Sequence, residues 1–229
     1  MGVHTLQGNP PITVKLRQSA RAKRLSLRVS RLDGQVTLTL PRSASRSAAF
    51  GFLHDREDWL RQQLEAIAAP QPPAIGGSLP FRGRELKIAE GLVRRVEVAE
   101  DSIIVPQGKP LAAQIRAFLR HQARDALAAS SDHYAAQIGR SYQRLSLRDT
   151  RSRWGSCTSD GRLMYSWRLI MAPPDVLDYV AAHEVAHLVE MNHSAAFWGL
   201  VADLCPPYAQ HRNWLRDHGD TLHRIVLDD

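Results

Sequence analysis

Five residues, His183-Glu184-Val185-Ala186-His187, constrain this 229-residue chain more than any other feature, because they set two imidazoles and a carboxylate into an otherwise apolar stretch. Val176-Leu177-Asp178-Tyr179-Val180-Ala181-Ala182 leads in, and Val185, Ala186, Leu188 and Val189 surround the polar residues, the pattern of a helix buried on nearly every face. Positions four apart on a helix differ by about 40° in azimuth and about 6 Å along the axis, so His183 and His187 point the same way. Three ionisable groups in two turns of a buried helix are costly unless something satisfies them, and one divalent cation satisfies all three. His183 and His187 are therefore expected to bind a metal, with Glu184, about a third of a turn away, as general base toward a metal-activated water. The alternative is a pair of neutral core histidines bonded to backbone carbonyls beside an ion-paired glutamate.

A catalytic zinc commonly has three protein ligands and one open position. No glutamate follows Glu190, so a distal glutamate ligand is excluded. His193 would lie about 240° from His187 on a continuing helix, so the helix is expected to stop first. Asn192 tolerates the left-handed conformation that closes a helix, and Ser194 can cap a second one over residues 195–202. Asp203 and His211 are the alternative third ligands, and Cys157 an alternative fourth. The histidine spacing is that of metzincins, but Glu190 stands where they carry glycine and no methionine follows His193, so the chain is not a metzincin in the strict sense. Zinc is the expected ion, with manganese, nickel and iron as alternatives for three imidazoles.

Ser152-Arg153-Trp154-Gly155-Ser156-Cys157, then residues 161–173, Tyr179 to Leu188, Asn192-His193-Ser194, Phe197-Trp198 and Trp214-Leu215 together resemble the YgjP-like family of metal-dependent hydrolases. A basic entry segment, Leu38-Thr39-Leu40-Pro41 and Asp58-Trp59-Leu60 extend the resemblance over nearly the whole chain. The resemblance implies a zincin-type catalytic domain related to SprT-like and WLM proteases, with His183, His187 and His193 as ligands and Glu184 as catalyst. Members are described as metallopeptidases and are also linked to nucleotide pyrophosphate hydrolysis. The implied substrate is thus a peptide or protein for a metallopeptidase, or a nucleotide for a nucleoside triphosphate pyrophosphohydrolase.

The fold class expected is α+β, with a β-rich N-terminal region followed by a zincin-like helical metallohydrolase domain containing a short antiparallel sheet. Strands occupy 12–40 around a Leu32-Asp33-Gly34 turn, and an amphipathic helix spans 47–67. A Pro- and Gly-rich linker follows near 69–77. Segments 79–88, 94–98 and 103–105 read as an antiparallel meander, and Pro110 opens a long helix to about Ile138, so the domains divide as 1–108 and 109–229. Strand-strand-helix occurs twice without a sequence match that makes a repeat. Next comes a hairpin around Thr158-Ser159-Asp160-Gly161, whose second strand ends at Pro173-Pro174, with Pro174 in the first turn of the metal helix.

An edge strand beside that helix can hold an extended substrate by backbone pairing. Arg153, Trp154, Gly155 and Ser156 are the expected substrate-binding rim: a guanidinium for carboxylate or phosphate, an apolar wall, and a glycine permitting close approach. Each has a structural reading as well, Arg153 pairing with Asp149, Trp154 filling core, Gly155 serving a bulge, and for Trp154 and Trp167 the core is favoured. Phe197, Trp198 and Trp214 are expected to pack. Tyr208 and His211 are further candidates, as donors to a developing oxyanion.

The formal charge of +7 is concentrated in Lys15, Arg17, Arg21, Lys23, Arg24, Arg28 and Arg31, which all precede the first acid, Asp33. Such an entry could attract nucleic acid weakly, as in a DNA-associated SprT-like protease. The alternation of Leu25, Leu27 and Val29 with polar residues favours the solvated face of a strand, and no aromatics interleave as base stacking requires. Two cysteines, Cys157 and Cys205, make a disulfide framework an unexpected feature. No run approaches a membrane span and the first residues lack an apolar signal, so a cytoplasmic location without membrane attachment is expected.

Overall fold

Two hydrophobic cores divide the chain. The computed structural model describes residues 2–30, 33–67 and 72–227, in two compact units, Met1–Ala69 and Pro70–Asp229. The division falls inside the expected linker and not at 108/109. Leu79, Leu86, Ile88, Ile103 and Val105 are buried in the same core as the long helix and the metal-motif helix, and this burial joins residues 78–106 to the second unit. Residues 69–71 of the linker and Leu32 of the expected turn lie outside the described residues.

In the first unit, strands β1 (Gly2–Leu6), β2 (Ile12–Ser19), β3 (Ser26–Val29) and β4 (Val36–Pro41) form a sheet of order β1-β2-β4-β3, with β4 parallel to β2 and antiparallel to β3. Its buried face is Ile12, Val14, Val36, Leu38 and Leu40, covered by Ala49, Leu53 and Leu60. Those last three come from two helices, α1 (Arg46–His54) and α2 (Glu57–Glu65), where one was expected. The chain tightens between them as the Arg56 N–H bonds the Leu53 carbonyl at 3.2 Å, and α2 restarts from the Arg56 carbonyl. Lys15, Arg17 and Arg28 are exposed and alternate with buried or half-buried Val14, Leu16, Leu27 and Val29, the solvated-face arrangement.

The second unit opens with β5 (Ser78–Phe81), β6 (Arg84–Gly91), β7 (Glu97–Val98) and β8 (Ser102–Pro106). Their order is β5-β6-β8-β7, so the expected meander is corrected: β8 inserts between β6 and β7, parallel to β6. Insertion sets Ile103 beside Ile88 on the buried face, while exposed Glu97 and Val98 take the edge. The first sheet has the same order and directions, and in both the inserted strand ends on a buried proline, Pro41 or Pro106. The strand part of the twofold pattern is therefore a repeat of sheet topology, followed by two short helices in one unit and one long helix in the other.

Pro110 precedes helix α3 (Leu111–Gln137), which turns Ile115, Leu119, Ala123, Leu127, Ser131 and Tyr134 inward at helical spacing. A third sheet, β9 (Arg144–Arg148), β10 (Gly155–Cys157) and β11 (Arg162–Ser166), has order β10-β11-β9. The β10–β11 hairpin turns at 158–161 as expected, but β9 runs parallel to β11, so this sheet is mixed and not antiparallel throughout. The second strand stops at Ser166 and a 3-10 helix, Trp167–Met171, continues to the prolines. Helices α4 (Pro174–Ala186), α5 (Ala195–Leu204) and α6 (Tyr208–His218) follow, then a 3-10 helix, Gly219–His223. No helix among the described residues is long and apolar enough to cross a membrane.

Candidate active site

Helix α4 is buried through Val176, Leu177, Val180, Ala181, Ala182, Val185 and Ala186. It ends at Ala186, one and a half turns before the Asn192 closure expected. The Leu188 N–H reaches back to the Val185 carbonyl (2.9 Å) and Glu190 N–H to Ala186 (3.0 Å), while the His187 ring bonds the Glu190 carbonyl through Nδ1 at 2.9 Å. The imidazole thus satisfies a carbonyl of the reversal, which lets the helix stop at once. Ser194 then caps α5, its hydroxyl accepting from the Phe197 N–H at 3.3 Å.

This reversal returns His193 to the helix. His193 Nε2 lies 3.2 Å from His183 Nε2, and candidate ligand atoms of His183, His187 and His193 all fall within 4.8 Å of one another. Tetrahedral zinc at about 2.0–2.1 Å from each nitrogen sets ligand atoms about 3.3 Å apart, so the shortest separation already has the size for one ion. The Glu190 bond occupies His187 Nδ1 and leaves Nε2 as the atom to face a cation. No other such group occurs among the described residues, so Asp203, His211 and Cys157 do not join the cluster. His183 Nδ1 is buried without a hydrogen-bond partner among those residues, and its ring is held by aromatic packing instead. Phe197, fully buried, stacks on His187 (4.4 Å between centroids) and meets His183 and His193 edge-on (4.9 and 4.8 Å). A residue expected only to pack is the floor of the triad.

Electrostatics favour ligation. Burial, then the neighbouring His187 and His193, drives His183 down to about 3, and burial also lowers His187, so both rings keep free lone pairs near neutrality. Glu184 is 5 % exposed; burial raises its carboxyl to about 8, opposed by the Arg153 charge and by a hydrogen bond from the Cys157 N–H. A carboxyl in that range can take and return a proton near neutral pH.

The strand β10 passes directly over Glu184. A Cβ at Gly155 would stand 2.5 Å from Oε1 and 2.6 Å from Cγ of that glutamate, so only glycine allows this approach. Two hollows flank it. One, about 230 Å³, is bounded by the triad, Glu184, Ser156, Cys157 and Met191. The other, about 220 Å³, lies between Gly155, His183 and Glu184 on one side and Arg153, Trp154, Tyr179, Val180 and Leu215 on the other.

Arg153, Trp154, Gly155 and Ser156 thus come together at the cleft. Asp149 does not pair with Arg153; both its oxygens accept from buried Arg168, at 2.7 and 3.0 Å, and Arg153 is exposed at the rim. Trp167 is core, 1 % exposed, whereas Trp154 is half-buried and serves as wall. Tyr208 and His211 line neither hollow. Tyr208 stacks on Trp198 at 5.5 Å, and the His211 ring is 6.5 Å from that of Tyr179. Tyr179 itself was legible only as part of an apolar run; its position four residues before His183, on the same helical stripe, is the signal that places it at the cleft.

No curated protein and no solved structure matches the chain. A family model described as YgjP-like, metallopeptidase domain, matches residues 23–218. The match takes in every element from β3 to α6, with the histidine cluster, Glu184 and the overlying strand inside it, and by that coverage the chain belongs to the YgjP-like metallopeptidase family.

Proposed function

We propose that the chain is a zinc-dependent peptidase in which His183, His187 and His193 hold the ion, Glu184 is the general base, and β10 aligns an extended substrate. The observation that carries this reading is three imidazoles within 4.8 Å of one another beside a buried carboxylate tethered to a sheet edge. When bound, zinc supplies the acidity that activates a water and polarises the scissile carbonyl. Glu184 accepts that water's proton and delivers it to the leaving amine, the Cys157 N–H fixing the carboxylate meanwhile. Among the described residues β10 has β11 as its one strand partner, which leaves the backbone groups of its other edge that Glu184 does not take for a peptide backbone. The Cys157 thiol is pushed up to about 11, first by burial and then by Glu184 and Asp160, which keeps it a neutral neighbour and not a nucleophile.

Peptide is favoured over nucleotide because the hollow beside Glu184 is walled by Trp154, Tyr179, Val180 and Leu215, with Arg153 as the cation among the lining residues, and a triphosphate calls for several. Lys15, Arg17 and Arg28 belong to the first unit, and a DNA-bound protein substrate would be cut by the same chemistry. The test is elemental analysis of the purified protein with mass spectrometry of a peptide mixture. Stoichiometric zinc and new peptide amines, lost on chelation and restored by zinc, are expected. Release of pyrophosphate and nucleoside monophosphate from triphosphates, with every peptide intact, would overturn the proposal.

A further inference from the structure

We infer that the hollow of about 220 Å³ beside Glu184 is the specificity subsite, taking an apolar, preferably aromatic, side chain next to the scissile bond while Arg153 reads a substrate carboxylate just beyond it. This rests on the peptidase reading above and adds which peptides are cut. The hollow shares Gly155, His183 and Glu184 with the catalytic hollow, so a side chain seated in it belongs to a residue flanking the reacting carbonyl. Its own walls are Trp154, Tyr179, Val180 and Leu215, and its volume suits one large side chain.

The Trp154 wall is fixed before substrate arrives. Its ring packs on His223 at 5.1 Å and lies over Gly219, where a Cβ would stand 2.9 Å from it. Gly219 and His223 bound the last 3-10 helix, which Arg168 anchors by donating to the carbonyls of Leu222 and Ile225, both at 2.9 Å. The same guanidinium grips Asp149, at the head of the loop to Trp154, and the Thr150 hydroxyl bonds the Arg153 carbonyl at 2.8 Å. One buried arginine therefore ties the segment that carries the tryptophan to the 3-10 helix on which the ring packs. A preformed wall accepts an apolar group without paying for reordering.

Charge sets the second preference. With Asp149 engaged by Arg168, the exposed Arg153 guanidinium is offered to the cleft. Arg212, whose guanidinium lies over the Trp198 ring at 4.8 Å, adds positive charge near Tyr179. Lysine or arginine in the hollow is disfavoured, and a carboxylate beyond it is attracted. That carboxylate comes from a peptide C-terminus or from an Asp or Glu side chain.

The experiment uses peptides identical except for Phe, Leu, Gly or Lys at the flanking position, each made as a C-terminal acid, as an amide, and as an amide with Asp at the next position. Both kcat/KM with the zinc-loaded protein and calorimetric affinity for Glu184→Gln are measured. Phe and Leu should exceed Gly and Lys by about 10- to 100-fold. A carboxylate should add about 5-fold, lost in Arg153→Gln, and the peptide series that shows the gain identifies its source. Leu215→Trp, which fills the hollow, should place Gly above Phe. Chelation-sensitive cleavage of all four residues within twofold would remove the subsite while leaving the peptidase standing. Failure of every peptide to be cut or bound would remove both, and an unchanged carboxylate gain in Arg153→Gln would remove the role of that residue.

Discussion

The two four-stranded sheets share strand order and direction, yet one encloses a small core of its own and the other seats the candidate active site. Their first hairpin turns show the divergence. In the first unit, Arg61 of α2 donates to the carbonyls of Gln7 and Pro10, closing the β1–β2 turn with the unit's own helix. In the second, the β5–β6 turn is bonded to the approach to α4, Arg82 N–H to the Ile170 carbonyl (2.8 Å) and Gly83 N–H to Met171 (3.2 Å). A left-handed glycine packs at each turn: a Cβ on Gly8 would meet the Arg61 side chain, and one on Gly83 would stand 2.9 Å from Pro173 Cα. The same strand plan thus ends in a flexible side chain in one unit and in the backbone ahead of the metal-motif helix in the other. Topology does not carry the chemistry; what leans on the turn does.

The largest expected break between the units is chemical. Glu184→Gln should lower kcat/KM on any cleaved peptide by about 10²- to 10⁴-fold while both units melt as in the wild type and the zinc content is unchanged. A variant with the wild-type rate would show that the base lies elsewhere. Next come the cores: Leu38→Ala and Ile103→Ala each remove a fully buried side chain and should cost about 2–5 kcal/mol. Denaturant titration should assign the first loss to the unit without the histidine cluster, leaving zinc affinity untouched, and the second to the unit that has it, weakening zinc.

A smaller contrast separates the two glycines. Gly83→Ala forces a left-handed residue, φ 75°, against rigid backbone and should cost about 2 kcal/mol along with some zinc affinity. Gly8→Ala, at φ 143°, is strained as well and displaces Arg61 from the Gln7 and Pro10 carbonyls, so a similar loss of about 2 kcal/mol but no change in zinc is expected. The smallest effect is pH-dependent and confined to the second unit. Burial, then Arg168, depresses His223 to about 4, below its unfolded value of about 6.5. As pH falls from about 6.5 toward 4 the unfolded chain takes up the proton first, so stability is full above that window and declines through it, by about 1 kcal/mol after allowance for partial exposure. His223→Gln should flatten the slope of denaturation midpoint against pH.

Much of this was legible because local chemistry wrote it. Pro110 and Pro174 mark helix starts, Ser194 marks the cap of α5, and three polar residues in a hydrocarbon run mark the cluster. What resisted reading depends on partners distant in the chain. Insertion of β8 beside β6 is a parallel pairing across an intervening strand, which alternation within either strand cannot specify. The stop at Ala186 depends on an imidazole bonding a carbonyl three residues on, while residue preferences pointed to Asn192. Tyr179 was hidden because an aromatic in an apolar run reads as core until the facing wall of Trp154 and Leu215 is known.

On the proposed ligand set, the early stop of α4 has a consequence for how a cation would be captured. All three imidazoles belong to the stretch from His183 to His193, so gathering them closes only a short loop. Affinity is then governed by how firmly Phe197 and the Glu190 carbonyl fix the rings, and the segment is small enough to be transplanted as a cassette onto another pair of packed helices. Amide protons between the two helices should accordingly be the first to exchange when the ion is stripped and the first to regain protection when it returns.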